Sequence, residues 1–237
     1  MSGVFRAGLH LVRACVGQAF LFSLVLALLT NVPNTLLFVY ADQAQPLGST
    51  AFNVLVVGAM LLAIWLHGAL IALLHAVAIG ADRSLRTALR MGLRRYLAVV
   101  GCFVAYALIV ILGYVALILP GLILMVTLLF AHFLVITEQL SITPALQRSH
   151  RLVWGYWWRT SIVFNVLVVI SLAAFLVVGV LAGAAFYMTG VTEPAGPGML
   201  VVVAIVVPLV AALLTPFLYA CSYIVLADLQ LRKEGLP

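Results

Sequence analysis

All twelve Lys and Arg residues of this 237-residue chain fall in four short polar segments, and the long apolar runs between them carry none. A water-soluble fold spreads its cations over the whole surface, so this segregation demands a solvent that excludes charge from most of the chain. With 66% hydrophobic and 8% charged residues, there is too little polar side chain to cover a soluble globule of this length. An apolar run of about 20 residues crosses the ~30 Å hydrocarbon layer of a bilayer as a helix. Six runs qualify, near 14–38, 52–80, 96–118, 121–137, 160–186 and 199–226. The expected fold is all-α: one integral, polytopic membrane domain spanning residues 1–237, with six transmembrane helices and interfacial amphipathic helices between them.

The cations also orient the chain. Arg6 and Arg13 precede the first span; Arg83, Arg86, Arg90, Arg94 and Arg95 lie between the second and third. Arg148, Arg151 and Arg159 lie between the fourth and fifth, and Arg232 and Lys233 follow the sixth. The intervening loops hold only Asp42 and Glu193 as charges. The positive-inside rule therefore expects both termini in the cytoplasm. The net charge of +6 sits against span ends with no separate basic fold to present it, which argues against a nucleic-acid partner. The first apolar run is longer than a signal peptide's and is interrupted by Asn31-Val32-Pro33-Asn34, so it is expected to stay as a span. Cys15, Cys102 and Cys221 lie in or beside apolar runs without Cys-x-x-Cys spacing, which reads as buried thiols rather than disulfides or a metal site.

Two polar segments carry more pattern than topology requires. On a helix over about 83–95, Arg83, Arg86, Arg90 and Arg94 share an arc of about 80°, opposite Leu85, Ala88, Leu89, Gly92 and Leu93. Ser84 or Asp82 is the natural N-cap. A related helix is expected over about 144–158, since Ser84, Ala88, Leu89 and Arg94 align with Ser141, Ala145, Leu146 and Arg151. There Thr143 reads as N-cap and Pro144 as the first helical residue. Leu146, Val153 and Trp157 take one face, and Gln147, Arg148, Arg151 and Arg159 the other. Arg6-Ala7-Gly8-Leu9 echoes Arg90-Met91-Gly92-Leu93, which suggests three units, each a basic amphipathic element followed by a two-span hairpin. Such helices lie at a membrane interface with their cations toward anionic headgroups, so Arg86, Arg90, Arg94, Arg148, Arg151 and Trp157 are the expected lipid-binding residues.

The uncharged run from Tyr96 to Thr137 would be about 63 Å long as one helix, so it must fold back. Pro120-Gly121 fits a type II turn between its two halves. His67 and His132 are candidate polar residues at membrane depth, for proton relay or substrate contact, while a neutral packed histidine is the plainer reading. Pro208 and Pro216 break the hydrogen-bond ladder of the sixth span, as transporters do at ion sites and as simple kinks also do. Gly179-x-x-x-Gly183 permits close helix packing within the chain, in a homo-oligomer or with a membrane-protein partner. Glu138 precedes the second amphipathic helix, where it favours the dipole and can pair with a nearby arginine. No catalytic residues, cofactor or metal ligands are indicated: paired carboxylates, Gly-x-Ser-x-Gly, His-Glu-x-x-His and nucleotide-binding glycine patterns are all missing from the sequence. The expectation is that the chain is not an enzyme.

Leu119-Pro120-Gly121-Leu122, Glu138, Ala145-Leu146-Gln147-Arg148-Ser149, and Leu152 followed by Gly155-Tyr156-Trp157-Trp158 together resemble a bacterial polytopic superfamily. Its members include the YciC-like inner membrane proteins and the membrane domain attached to some glycerophosphodiester phosphodiesterases. The chain departs from the usual pattern at Leu122, Ile123 and Gln147, where isoleucine, an aromatic and a basic residue are common. The resemblance covers about forty residues and implies a bacterial inner-membrane domain associated with lipid or envelope biology. Any phosphodiesterase activity of the fused relatives would belong to a separate soluble domain. Taken together, the expected role is binding of anionic phospholipids in lipid or envelope homeostasis, with a transporter or permease-like subunit and a scaffold for another membrane protein as alternatives.

Overall fold

A computed structural model describes residues 2–39, 50–81, 84–189 and 202–235. Asp42, Asp82, Arg83 and Glu193 lie outside the described residues. Among the described residues the chain is helical and contains no strand. The order is α1 (Ser2–Arg13), α2 (Val16–Val39), α3 (Thr50–Ala78), α4 (Leu85–Arg94), α5 (Tyr96–Ala116), α6 (Ile118–Thr127), α7 (Ala131–Thr137), α8 (Ile142–Val153) and α9 (Trp157–Thr189). A π-helical turn, Val202–Val206, then leads into α10 (Val207–Glu234). Helices α3, α5, α6 with α7, α9 and α10 are each long and apolar enough to cross a membrane. Helices α1 and α2 pass the same test together across a 93° bend, which makes the candidate spans five, or six if this bent pair is one span. The protein is a multi-pass, all-α membrane protein.

Each two-span hairpin is preceded by one short amphipathic helix: α1, α4 or α8. These three helices pack in a cyclic order. Helix α4 lies along α3, α8 against α7, and α1 against α10, so each rests on the last span of the unit before it, with the first closing on the third. Small residues at matching sequence positions make the approaches. A methyl added to Gly92 would stand 2.9 Å from the Ala69 nitrogen, and one added to Gly8 would stand 2.8 Å from Cys221 Sγ. The matching residue of α8, Ser149, is fully buried against the α6–α7 junction.

Three sequence expectations shift here. The reversal after α5 occurs at Leu117, whose backbone is extended (φ −166°, ψ 148°), and not at Pro120-Gly121. Those two residues occupy the first turn of α6, where proline's missing N–H leaves no bond unmade. Gly121 allows α5 and α6 to touch: a methyl there would sit 2.8 Å from the Tyr114 nitrogen. The fourth span is broken at Leu128–Phe130, between α6 and α7. Helix α8 starts at Ile142 with Ser141 as N-cap, which places Pro144 in its first turn, and it ends at Val153. Gly155 (φ 92°) then turns the chain, so Trp157 and Arg159 belong to α9.

Packing is concentrated at the end of the molecule that carries the cations, called here the basic end. Leu70, Ile71, Leu73 and Leu74 of α3, Leu134 and Ile136 of α7, Leu152 of α8, and Leu226 and Leu229 of α10 are fully buried there. The opposite halves of α5 and α9 present exposed Leu, Ile and Val, as helices facing acyl chains do. At 29 residues, α3 is about 43 Å long, well beyond the hydrocarbon thickness. Measured from Thr50, ~30 Å of helix ends near Ala69, where Gly92 makes contact. Helix α4 therefore runs beside the excess length of α3. Its buried small residues, Ala88 and Gly92, face protein and not acyl chains, contrary to expectation, because α3 supplies an apolar partner surface.

Candidate functional site at the basic end

Two corners of the basic end are built from equivalent parts, an amphipathic helix and the end of the last span in its own unit. In the α8–α10 corner, Arg148 reaches two carboxylates: its Nε lies 2.5 Å from Glu138 Oε2, and Nη1 and Nη2 each donate at 2.8 Å to Glu234. Glu138 Oε1 also accepts from Gln230 Nε2 at 2.7 Å. Lys233 Nζ donates to the carbonyls of Arg151 (2.7 Å) and Trp154 (2.5 Å), the C-terminal end of α8, where a cation meets the negative end of the dipole. Asp228 pairs with Arg159 (3.2 Å) and Arg232 (3.0 Å). Burial opposes the charge of Arg148, but the Glu138 and Glu234 carboxylates outweigh it and raise its already high pKa. A pKa raised in the folded state stabilises fully below the unfolded value and is lost as pH rises through the folded one, so deprotonation of Arg148 does not remove this contribution near neutral pH.

In the α4–α7 corner the cations of α4 pair with no described carboxylate. Ser84 caps α4 as the sequence suggests, accepting from the Thr87 N–H at 3.2 Å, and Trp65 Nε1 of α3 donates to the Leu89 carbonyl at 3.1 Å. This fixes the rotation of α4, leaving Arg86, Arg90 and Arg94 exposed. None of the three is paired with a carboxylate among the described residues. Between α4, the basic end of α3 and the end of α7 lies an open pocket of about 670 Å³ lined by Arg90, Arg94, Arg95, His75, Met91 and Ile136, among others. No described carboxylate lines it. Arg95 is held at its rim: Nε donates to Gln139 Oε1 at 2.5 Å, and Gln139 Nε2 donates to the Ile136 carbonyl at 2.8 Å. Gln139 has φ 57°, a left-handed backbone uncommon for a residue with a side chain. His75 Nδ1 is 2.9 Å from the Tyr223 hydroxyl.

The expected lipid-binding residues thus separate. Arg90 and Arg94 come together in the pocket, with Arg86 exposed one turn away and Arg151 exposed on α8. Arg148 is engaged by protein carboxylates and leaves that set. Trp157 is half-buried beside Trp158 (5.7 Å between centroids), and its indole nitrogen is buried with no hydrogen-bond partner among the described residues. Gln139, Gln230 and Glu234 were not foreseen: they are ordinary polar residues at span ends whose partners are distant in sequence.

The membrane-depth candidates meet mostly apolar neighbours. His67 Nδ1 donates to Ala63 O of its own helix at 2.9 Å, since a carbonyl only accepts. Its ring packs at 5.3 Å from Tyr219, and His132 packs between Phe103 (5.1 Å) and Phe133 (4.8 Å). The break in the fourth span is closed by Ser149, which donates to the Thr127 carbonyl at 2.8 Å and accepts from the Phe130 N–H at 3.2 Å. Pro208 follows the π-helical turn, and beside Pro216 the Thr215 hydroxyl donates to the Ala211 carbonyl at 2.7 Å. Methyls added at Gly179 or Gly183 would meet nothing within 4 Å, so that pair makes no close approach to another helix among the described residues. Among the described residues, no three His, Cys, Asp or Glu side chains converge as metal ligands. No known protein family, characterised protein or solved structure matches this chain.

Proposed function

We propose that the protein acts by binding and not by catalysis, engaging anionic phospholipids through the basic face of α4 at the cytoplasmic side of a bacterial inner membrane, in support of lipid or envelope homeostasis. The observation that carries this reading is that Arg86, Arg90 and Arg94 are exposed and have no carboxylate partner among the described residues, on a helix docked against α3 through Ala88, Gly92 and the Trp65 bond. Each cation near an anionic leaflet is worth about 1 kcal/mol, so the group suffices to hold anionic lipid locally. Both termini then lie in the cytoplasm with the basic end. The test is lipid analysis of protein extracted in native nanodiscs, compared with bulk membrane and with a variant carrying Arg86→Gln, Arg90→Gln and Arg94→Gln. Enrichment of anionic lipid that disappears in the variant is the expected result, and an unchanged profile removes the reading.

The transport alternative draws on His67, His132 and the prolines of the sixth span, Pro208 and Pro216, to which the structure adds the break in the fourth span. Against it, Ser149 pairs with the Phe130 N–H and the Thr127 carbonyl at the break, and the two histidines are set among aromatic rings. A helix break whose polar groups already have protein partners offers no ligands to a passing ion.

A further inference from the structure

The pocket permits a sharper statement about the same site, resting on the lipid-binding reading. We infer that the cavity between α4 and the end of α7 is a discrete receptor for a single phosphate group carried on a small organic moiety, held by Arg90, Arg94 and Arg95. Arg90 and Arg94 are one turn apart on α4, where like charges repel, and Arg95 is drawn to the same cavity by its bond to Gln139. Three arginines around a space that no described carboxylate lines are an arrangement completed by an anion. The fork of donors on arginine matches phosphate oxygens two at a time.

The other corner supports this by contrast. Where α8 meets the end of α10, the guanidinium of Arg148 is answered by Glu138 and Glu234, and the corner is closed by protein. Where α4 meets the end of α7, the equivalent corner holds cations, no described carboxylate and about 670 Å³ of space. That volume falls within the roughly 300–1,000 Å³ typical of small-molecule sites, and a bare phosphate would leave most of it empty. Met91 and Ile136 give the remaining wall an apolar character suited to the carbon skeleton attached to the phosphate. Gln139, held in an uncommon backbone conformation, is the positioning residue: it sets the Arg95 side chain at the rim before any ligand arrives. The ligand's phosphate belongs either to an anionic lipid headgroup, entering from the bilayer near the level of Ala69, or to a soluble phosphomonoester entering from the aqueous side.

The experiment is native mass spectrometry of the delipidated full chain, reconstituted in phosphatidylcholine nanodiscs and titrated with phosphatidylglycerol or, separately, with glycerol phosphate. Wild type is expected to retain one phosphate-bearing molecule. Arg94→Gln and Arg95→Gln are expected to weaken retention about tenfold or more, because each removes a charge-assisted contact. Arg94→Lys keeps the charge but not the fork and falls between. Gln139→Asn tolerates the left-handed backbone while withdrawing the amide from Arg95, and it too weakens retention. Arg13→Gln, an equal charge change on α1, leaves retention as in wild type. Retention of phosphatidylglycerol alone assigns the site to lipid. Retention of glycerol phosphate alone keeps the receptor and overturns the lipid reading. If the lipid is enriched but Arg13→Gln, Arg94→Gln and Arg95→Gln weaken it equally, the discrete receptor is wrong and only a diffuse basic surface remains. Absence of any retained phosphate compound in wild type overturns both. Unchanged thermal unfolding of each variant in detergent establishes that a loss of binding is not a loss of fold.

Discussion

Helices α4 and α8 begin from related sequence and end in opposite circumstances. Both are short, basic and amphipathic, and both dock on the last span of the preceding unit through a small residue, Gly92 or Ser149. On α8, however, Ala145, Leu146, Ser149, Leu152 and Val153 are buried and Arg148 is bound by Glu138 and Glu234, whereas α4 buries only Ala88 and Gly92. Helix α8 has become part of the core, and α4 has kept an open charged face. The difference comes from what each corner meets: α10 ends in Asp228, Lys233 and Glu234, which answer polar groups of α8 and α9, and in Gln230, which donates to Glu138 at the end of α7. Toward α4 the end of α7 turns Ile136, Thr137 and Gln139, and Gln139 binds Arg95, the residue that caps α4. A basic helix is thus available to a ligand only to the extent that the protein has not already neutralised it.

The largest effect expected is at the small residue of α8. Ser149→Ala nearly keeps the volume but removes both bonds at the break in the fourth span, leaving the buried Phe130 N–H and Thr127 carbonyl without that partner. Each such group costs about 1–3 kcal/mol, so the variant should lose about 2–4 kcal/mol in reversible unfolding from mixed micelles. If it is as stable as wild type, α8 is not anchored as described and the contrast with α4 collapses. On α4 the matching change is Gly92→Ala, whose new methyl meets the backbone of Ala69 at 2.9–3.2 Å. Backbone cannot turn aside as a side chain does, so about 1–3 kcal/mol should be lost. Gly8→Ala is expected to cost less, because its nearest neighbour is the Cys221 side chain.

Much of this arrangement is legible in the sequence, and the illegible part has a physical cause. Charge-free length reveals the spans, and 3.6-residue periodicity reveals α4 and most of α8, because both signals lie within one element. The Ser84 cap and the Thr215 bond beside Pro216 are also local. The turn at Leu117 is missed because Pro120-Gly121 carries the stronger turn signal, yet proline is equally at home in the first turn of a helix. The break at Leu128–Phe130 contains neither proline nor glycine, and what satisfies its free groups is Ser149, 19 and 22 residues away from its two partners. Likewise Arg148 and Glu234 are 86 residues apart, so the nearby Glu138 is legible as a partner of an arginine while the second carboxylate is not.

The third expectation concerns that pairing. Arg148→Gln should destabilise by about 1–2 kcal/mol, less than a fully buried pair would, since the three side chains remain about a quarter exposed. Combining it with Glu234→Gln should cost less than the sum of the two single changes, because the second loses a partner already gone. Additive losses in that cycle would mean that Arg148 is not held by Glu234, and would return it to the lipid-facing set.

The smallest change in stability is expected where the functional change is greatest. Arg90→Gln and Arg94→Gln break no described ion pair, so unfolding should move by less than about 0.5 kcal/mol. Removing one of two repelling cations one turn apart even favours a slight gain. Anionic-lipid enrichment should nevertheless fall with each, while Arg148→Gln leaves it near wild type and lowers stability. The two helices would then be separated by a double dissociation, stability tracking α8 and lipid tracking α4. The decisive failure is an Arg148→Gln variant that sheds lipid as strongly as Arg94→Gln does. Ion pairing would then not determine which cations meet lipid, and total charge at the basic end would replace the α4 corner as the explanation.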